Sequence, residues 1–384
     1  MDECINPSDG EQVEESVSPD SAHEELSSPL NLEGRDRKLV TQPYDFAVHS
    51  LSSDIEEGRV QLSVEYQRDF VWDSAKSSRL IESLLLNVPV PVIYFAETRD
   101  GAYEVIDGLQ RLTAIHNFLQ GELSLRGLTV LQELNGLRIG DLDPRDRRRL
   151  QSRTLRCIVI TEESDPDIKF DVFERLNTGA AVLNAQELRN SVYRGPFNES
   201  LRNLASRDSV LRDIGVQANR RMDVEEMILR FFALHDRLGD YQPPLRQFLN
   251  SYMRDRRDHP LTPGEEDLFI STLEVVRAAC GPDPFRSPSS NNPVNKALFD
   301  AIMIPFAAAR LEIPGPHAAN NFQTALRRCL EQEEFQASIG RATADRSRVF
   351  KRIATIASIL QGAGQVVPLP DSVTAGEGVG DDGL

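Results

Sequence analysis

The sequence predicts an α+β protein: an α/β domain over residues 39–196, then an all-helical domain over 197–362. Three observations carry that reading. Short runs rich in β-branched and aromatic residues alternate with helical patterns as far as Tyr193. Asp100-Gly101 lies between two such runs and is a strong hairpin signal. After Gly195-Pro196 the strand signals fade and long amphipathic stretches replace them.

Residues 45–57 read as a helix ending near Gly58, and 59–64 as a short strand entering a turn at 66–72. Residues 74–86 form the next helix, with Ser74 as N-cap, Leu80, Leu84 and Leu85 facing inward, and Pro89 and Pro91 beyond its end. Residues 92–96 and 103–106 are the hairpin strands, and 123–129 and 153–160 are two more strands. A helix over 167–176 stops at Asn177-Thr178-Gly179. Asn184 and Glu187 then form a capping-box start for a helix to Tyr193. In the second domain, helices are expected over 224–238, 247–255, 263–279, 296–310, 320–338 and 343–360, with a loop over 281–294.

The net charge of −17 is uneven. Residues 1–38 hold 11 acidic and 3 basic residues, and 364–384 hold 4 acidic and none basic. Both tails lack apolar periodicity and are expected to be disordered, over 1–38 and 363–384. The Gly376-Glu-Gly-Val-Gly380 stretch has no strand before it and no helix after it, so it does not read as a nucleotide loop. An acidic body argues against a strong general hold on DNA, which depends on neutralising phosphates. The exception is Arg145, Arg147, Arg148, Arg149, Arg153 and Arg156, either a solvated face paired with Asp141, Asp143 and Asp146 or a contact for DNA or another partner. Cys4, Cys157, Cys280 and Cys329 are widely spaced without a metal-ligand pattern, as in a reducing compartment. The chain shows neither a signal-peptide pattern nor an apolar run of membrane-spanning length, so a cytoplasmic, membrane-free protein is expected.

The most informative stretch is Asp107-Gly108-Leu109-Gln110-Arg111. It falls where a strand turns into a helix, so free N–H groups and the helix dipole favour an anion there. Arg111 in the first helical turn is disfavoured by that dipole unless a phosphate is bound. Asp107 either holds a metal or water or caps the helix, and Arg111 either binds phosphate or pairs with a neighbouring carboxylate.

This stretch resembles the Asp-Gly-Gln-Gln-Arg motif of the N-terminal domain of GmrSD-type restriction endonucleases, a domain shared with the NTPase/nickase component of phosphorothioate-linked phage defence. The resemblance continues in Tyr66-Gln-Arg-Asp-Phe-Val-Trp72, Leu80-Ile-Glu-Ser-Leu-Leu85 and Pro91-Val-Ile-Tyr-Phe95. Downstream it takes in Phe173-Glu-Arg-Leu-Asn-Thr-Gly179 and Leu183-Asn-Ala-Gln-Glu-Leu-Arg-Asn190, so it spans 39–193. It implies a fold like ParB and sulfiredoxin, with Gly108 and Arg111 at the two fixed positions of a G-x-x-R phosphate turn. Leu109 departs from the family's Gln.

These residues lead to nucleoside triphosphate hydrolysis by positioning and charge stabilisation. Asp107, Gln110 and Arg111 are the expected catalytic residues, and Gln67, Arg68, Gly108, Arg175 and Asn177 the nucleotide- or phosphate-binding ones. Asp107 and Glu174 are candidates for Mg²⁺, which needs few carboxylates. Glu187 and Arg189 are expected to cap and brace their helix. No Walker motif is present. The alternatives are a DNA nuclease or nickase, acting alone or with a separately encoded nuclease or other defence protein, and a non-catalytic module in which nucleotide switches an interaction. Asp258-His259-Pro260 resembles part of an HNH motif, but no hairpin or downstream ligand accompanies it.

Overall fold

The computed structural model describes residues 38–62, 72–176, 183–216, 219, 222–286 and 294–374. The first region contains β1 (Thr41–Ala47), α1 (Val48–Glu56), β2 (Val60–Gln61), α2 (Ser74–Leu85), β3 (Ile93–Glu97), β4 (Tyr103–Asp107), α3 (Leu109–Leu119), α4 (Pro144–Gln151), β5 (Thr154–Ile160), α5 (Pro166–Leu176) and α6 (Ala185–Val192). The strands form one mixed sheet in the order β1-β5-β3-β4-β2. β3 and β4 are antiparallel, as the Asp100-Gly101 hairpin requires, and Gly101 takes φ 81° in its turn. β3 runs parallel to β5 and is the central strand, and β4 lies between it and the short edge strand β2.

Side chains alternate across a strand, so neighbouring residues serve opposite faces. Phe95 and Val159 point into a core with Leu80, Ile81, Leu112, Ile115 and Phe118 of α2 and α3. Their neighbours Ala96 and Ile160 join Phe170 and Phe173 of α5 on the other face. That second core continues without interruption into the helical region.

The helical region contains α7 (Pro196–Ala205), α8 (Asp208–Ile214), α9 (Asp223–Arg237), α10 (Leu245–Arg256), α11 (Pro263–Cys280), α12 (Lys296–Ala309), α13 (Pro316–Glu331), α14 (Glu333–Gly340), α15 (Arg346–Gly362) and α16 (Asp371–Thr374). α12 is buried along most of its length, and α9, α11, α14 and α15 pack on it.

Several expectations need correction. Residues 45–47 belong to β1 rather than to a helix, because they complete its antiparallel register with β5. Asp73, not Ser74, caps α2 through the Lys76 N–H at 2.7 Å. Residues 123–129 are not a strand: Gly127 takes φ 68°, and the backbone is satisfied piecemeal. The Leu125 N–H reaches the Leu137 carbonyl, the Arg126 N–H reaches Ser78 Oγ and the Leu128 N–H reaches Asn135 Oδ1. The stretch 320–338 divides at Gln332, whose ψ of 125° ends α13 and starts α14. The segment expected to leave the fold at 363 stays packed to Thr374, with Val367 and Val373 in the helical core. The expectations for 1–37, the 66–71 turn, the turn at 177–179 and 376–380 lie outside the described residues.

Candidate functional site at the β4–α3 turn

β4 delivers Asp107 at its end, and α3 starts two residues later. Gly108 between them takes φ 104°, the left-handed region that favours glycine. A Cβ at Gly108 would stand 3.0 Å from Ile93 Cγ1 and 3.2 Å from its Cγ2, so β3 presses on the turn from below. Among the described residues, no side chain caps the N-terminus of α3. The N-cap position is Gly108 itself, and the Asp107 carboxylate one residue before it is turned elsewhere.

It is turned to Arg111. Arg111 Nη2 donates to Asp107 Oδ2 at 2.5 Å, and its side chain is only 12% exposed. Arg111 Nη1 donates to the Pro91 carbonyl and, at 3.2 Å, to the Val92 carbonyl. The guanidinium therefore braces the turn against the chain entering β3. These bonds use three of its five N–H donors. Gln110 Oε1 accepts the Trp72 backbone N–H at 3.2 Å, tying the turn to the start of α2. Lys76 Nζ lies 4.7 Å from the Trp72 ring centre. Leu109 is half-buried beside them.

Arg175 is exposed on the last turn of α5 and makes no side-chain hydrogen bond or ion pair among the described residues. Glu174 pairs with Arg246 of α10, so this carboxylate serves the helical region. Gln67, Arg68 and Asn177 lie outside the described residues. Among the described residues, no three His, Cys, Asp or Glu side chains gather as a metal centre.

The Gln186–Asn190 stretch is structural. Asn184 and Glu187 form the expected capping box. Arg189 is buried; it donates to Asn250 at 2.8 Å and Gln186 at 3.1 Å, and burial pushes its pKa down to about 10. Asp258 is held by Arg99 at 2.9 Å. Cys157, Cys280 and Cys329 are unbridged, and burial pushes the Cys157 thiol up to about 12.

Some partners of the site were not legible as such. Pro91 and Val92 contribute through carbonyls, and Trp72 through its amide, groups every residue carries. Glu104 offers a signal that can be read, an acid in a short apolar strand. It is buried, accepts from Ser191 Oγ at 2.8 Å and pairs with Arg194, three residues before Asp107 on the same strand.

A strand entering a helix through a left-handed glycine, with an arginine held under the uncapped end, defines an α/β domain with a candidate anion-binding turn. Residues 48–194 match the family model of the GmrSD restriction endonuclease, N-terminal domain. No curated protein matches the chain. No helix among the described residues is long and apolar enough to cross a membrane.

Proposed function

We propose that the β4–α3 turn binds a nucleoside triphosphate and hydrolyses it with Mg²⁺. In this reading the first domain has a ParB/sulfiredoxin-like fold and serves a DNA-targeting restriction or anti-phage system. The observation that carries the proposal is the uncapped N-terminus of α3, entered through Gly108, with Arg111 fixed beside it. Backbone N–H groups, the helix dipole and a guanidinium suit one ligand class, a phosphate.

Three Arg111 N–H donors hold it in place, and its other two, which make no bond among the described residues, can serve phosphate oxygens. Arg175, exposed and without an ion pair among the described residues, is a second available cation. Asp107 Oδ1 is outside the Arg111 contact, and one carboxylate with phosphate oxygens suits Mg²⁺, which would neutralise charge on the phosphates. Gln110 orients a water or the sugar. The role in a DNA-targeting system rests on the family match, with a separately encoded nuclease or defence protein as the partner.

A second reading, a nucleotide-switched module without turnover, draws on Glu104. The strand that carries Asp107 is tied through Glu104 to Ser191 and Arg194, where the chain enters the helical region. Phosphate release from ATP, GTP, CTP and UTP with Mg²⁺, for the wild type and for Arg111→Ala and Asp107→Ala, tests the proposal. Release lost in both variants, with circular dichroism unchanged, supports it. Nucleotide binding without release favours the switch, and neither binding nor release sinks both readings. Cleavage of plasmid DNA with a divalent metal would favour the nuclease alternative instead.

A further inference from the structure

Residues 137–156 hold seven arginines and three aspartates in a chain of net charge −17. The structure divides those arginines into two sets. Arg138 donates to the Gly121 carbonyl at 3.1 Å, and Arg147 to the Gly140 carbonyl at 2.7 Å. Arg153 donates to the Leu84 carbonyl at 2.9 Å, and Arg156 pairs with Asp45 at 2.9 Å. These four hold loop and strand ends in place. Arg145, Arg148 and Arg149 remain exposed on α4.

Positions i, i+3 and i+4 share one face of a helix, so these three guanidiniums project together, away from the buried Leu150. The neighbouring aspartates do little to neutralise them. Asp141 accepts the Arg138 backbone N–H at 2.9 Å, and Asp143 accepts the Arg145 backbone N–H at 2.7 Å. Asp146 stands 4.0 Å from Arg149. Like charges at this spacing weaken a helix, and Arg145 in the first turn also opposes the dipole. A polyanion lying across the face would convert that repulsion into attraction.

Arg145 and Arg149 are about 6 Å apart along the helix axis, close to two nucleotide steps of a strand. We infer that this face of α4 binds the phosphate backbone of nucleic acid without reading its sequence. The inference deepens the DNA-targeting part of the proposed function and rests on it, but it does not depend on the β4–α3 turn.

The test is the anisotropy of a short labelled DNA duplex over a salt series, for the full chain and for R145Q/R148Q/R149Q. The triple variant should bind at least about tenfold more weakly at low salt. Its log–log salt slope should be shallower by about 2.7, three contacts at roughly 0.9 each. Arg148→Gln alone should change the slope by about 0.9, which guards against misfolding of the triple variant. Unchanged affinity and slope, no duplex binding by the wild type, or equally tight binding of polyglutamate would each overturn the inference. Absent nucleotide binding and hydrolysis with normal duplex binding would sink the nucleotide readings and leave this surface standing.

Discussion

Arg111 reaches back one helical turn to Asp107, Nη2 to Oδ2 at 2.5 Å, while its Nη1 rests on the carbonyls of Pro91 and Val92. The planar fork spans a carboxylate and two carbonyls at once, which a lysine ammonium on a flexible stem cannot reproduce. A cation at the positive end of α3 is thus held in place by the fold itself.

Arg111→Lys should therefore keep weak nucleotide affinity and lose turnover by roughly 10²-fold or more, the usual cost of removing a positioned charge donor. Arg111→Ala should lose both. Steady-state phosphate release and equilibrium nucleotide titration separate the two effects. Full turnover in the lysine variant would show that the fork geometry is not needed.

Gly108 answers to two constraints and Gly101 to one. Both have positive φ, but a Cβ at Gly101 meets nothing within 4 Å, whereas at Gly108 it meets Ile93 at 3.0 Å. Gly101→Ala should cost about 1 kcal/mol from backbone strain alone, and Gly108→Ala about 2–3 kcal/mol. Urea unfolding of the two variants measures the difference. Equal losses would mean that Ile93 yields freely.

Asp300 is fully buried between two guanidiniums, Arg230 at its Oδ1 (3.0 Å) and Arg352 at its Oδ2 (3.0 Å). Asp300→Ala would leave Arg352 without its carboxylate and Arg230 with only Glu226 at 3.9 Å, a loss of about 3–5 kcal/mol. Chemical denaturation should show it as a lower midpoint. A midpoint shift near zero would mean that water or Glu226 takes over the pairing.

Glu226 supplies the pH dependence. Burial opposes its ionisation, but Lys296, Arg189 and Arg230 outweigh that and hold its carboxyl below the ordinary range. A carboxyl depressed on folding stabilises the native state above its unfolded pKa, about 4.3, and that stability is lost as pH falls toward the folded value. Thermal melts should therefore fall more steeply with acidification below that pH in the wild type than in Glu226→Gln. Parallel curves would assign the acid sensitivity to other carboxylates.

The strongest local signals were legible without coordinates. The Asp100-Gly101 hairpin, the Asn184–Glu187 capping box and the strand-to-helix passage through Gly108 each depend on neighbours within a few residues. The misses at β1 and 123–129 have a different origin. β1 exists because β5 pairs with it from more than a hundred residues away, and 123–129 is irregular because Ser78 of α2 and the nearby 135–137 loop satisfy its backbone.

The sequence by itself determined most of the order of elements and the strand-to-helix passage at the turn, because propensity, capping and motif spacing act over short distances. Only the tertiary structure decided how each charge is used. Glu174 looks like a ligand residue in the chain, yet folding commits it to Arg246, and Arg189, expected to brace its own helix, reaches Asn250 of α10 across the junction with the helical region. Arg145, Arg148 and Arg149 look no different from Arg153, yet they alone of that run stay on an open helix face. An ionic partner is chosen by proximity in space, and chain spacing carries that information only within a helix turn or a strand pair.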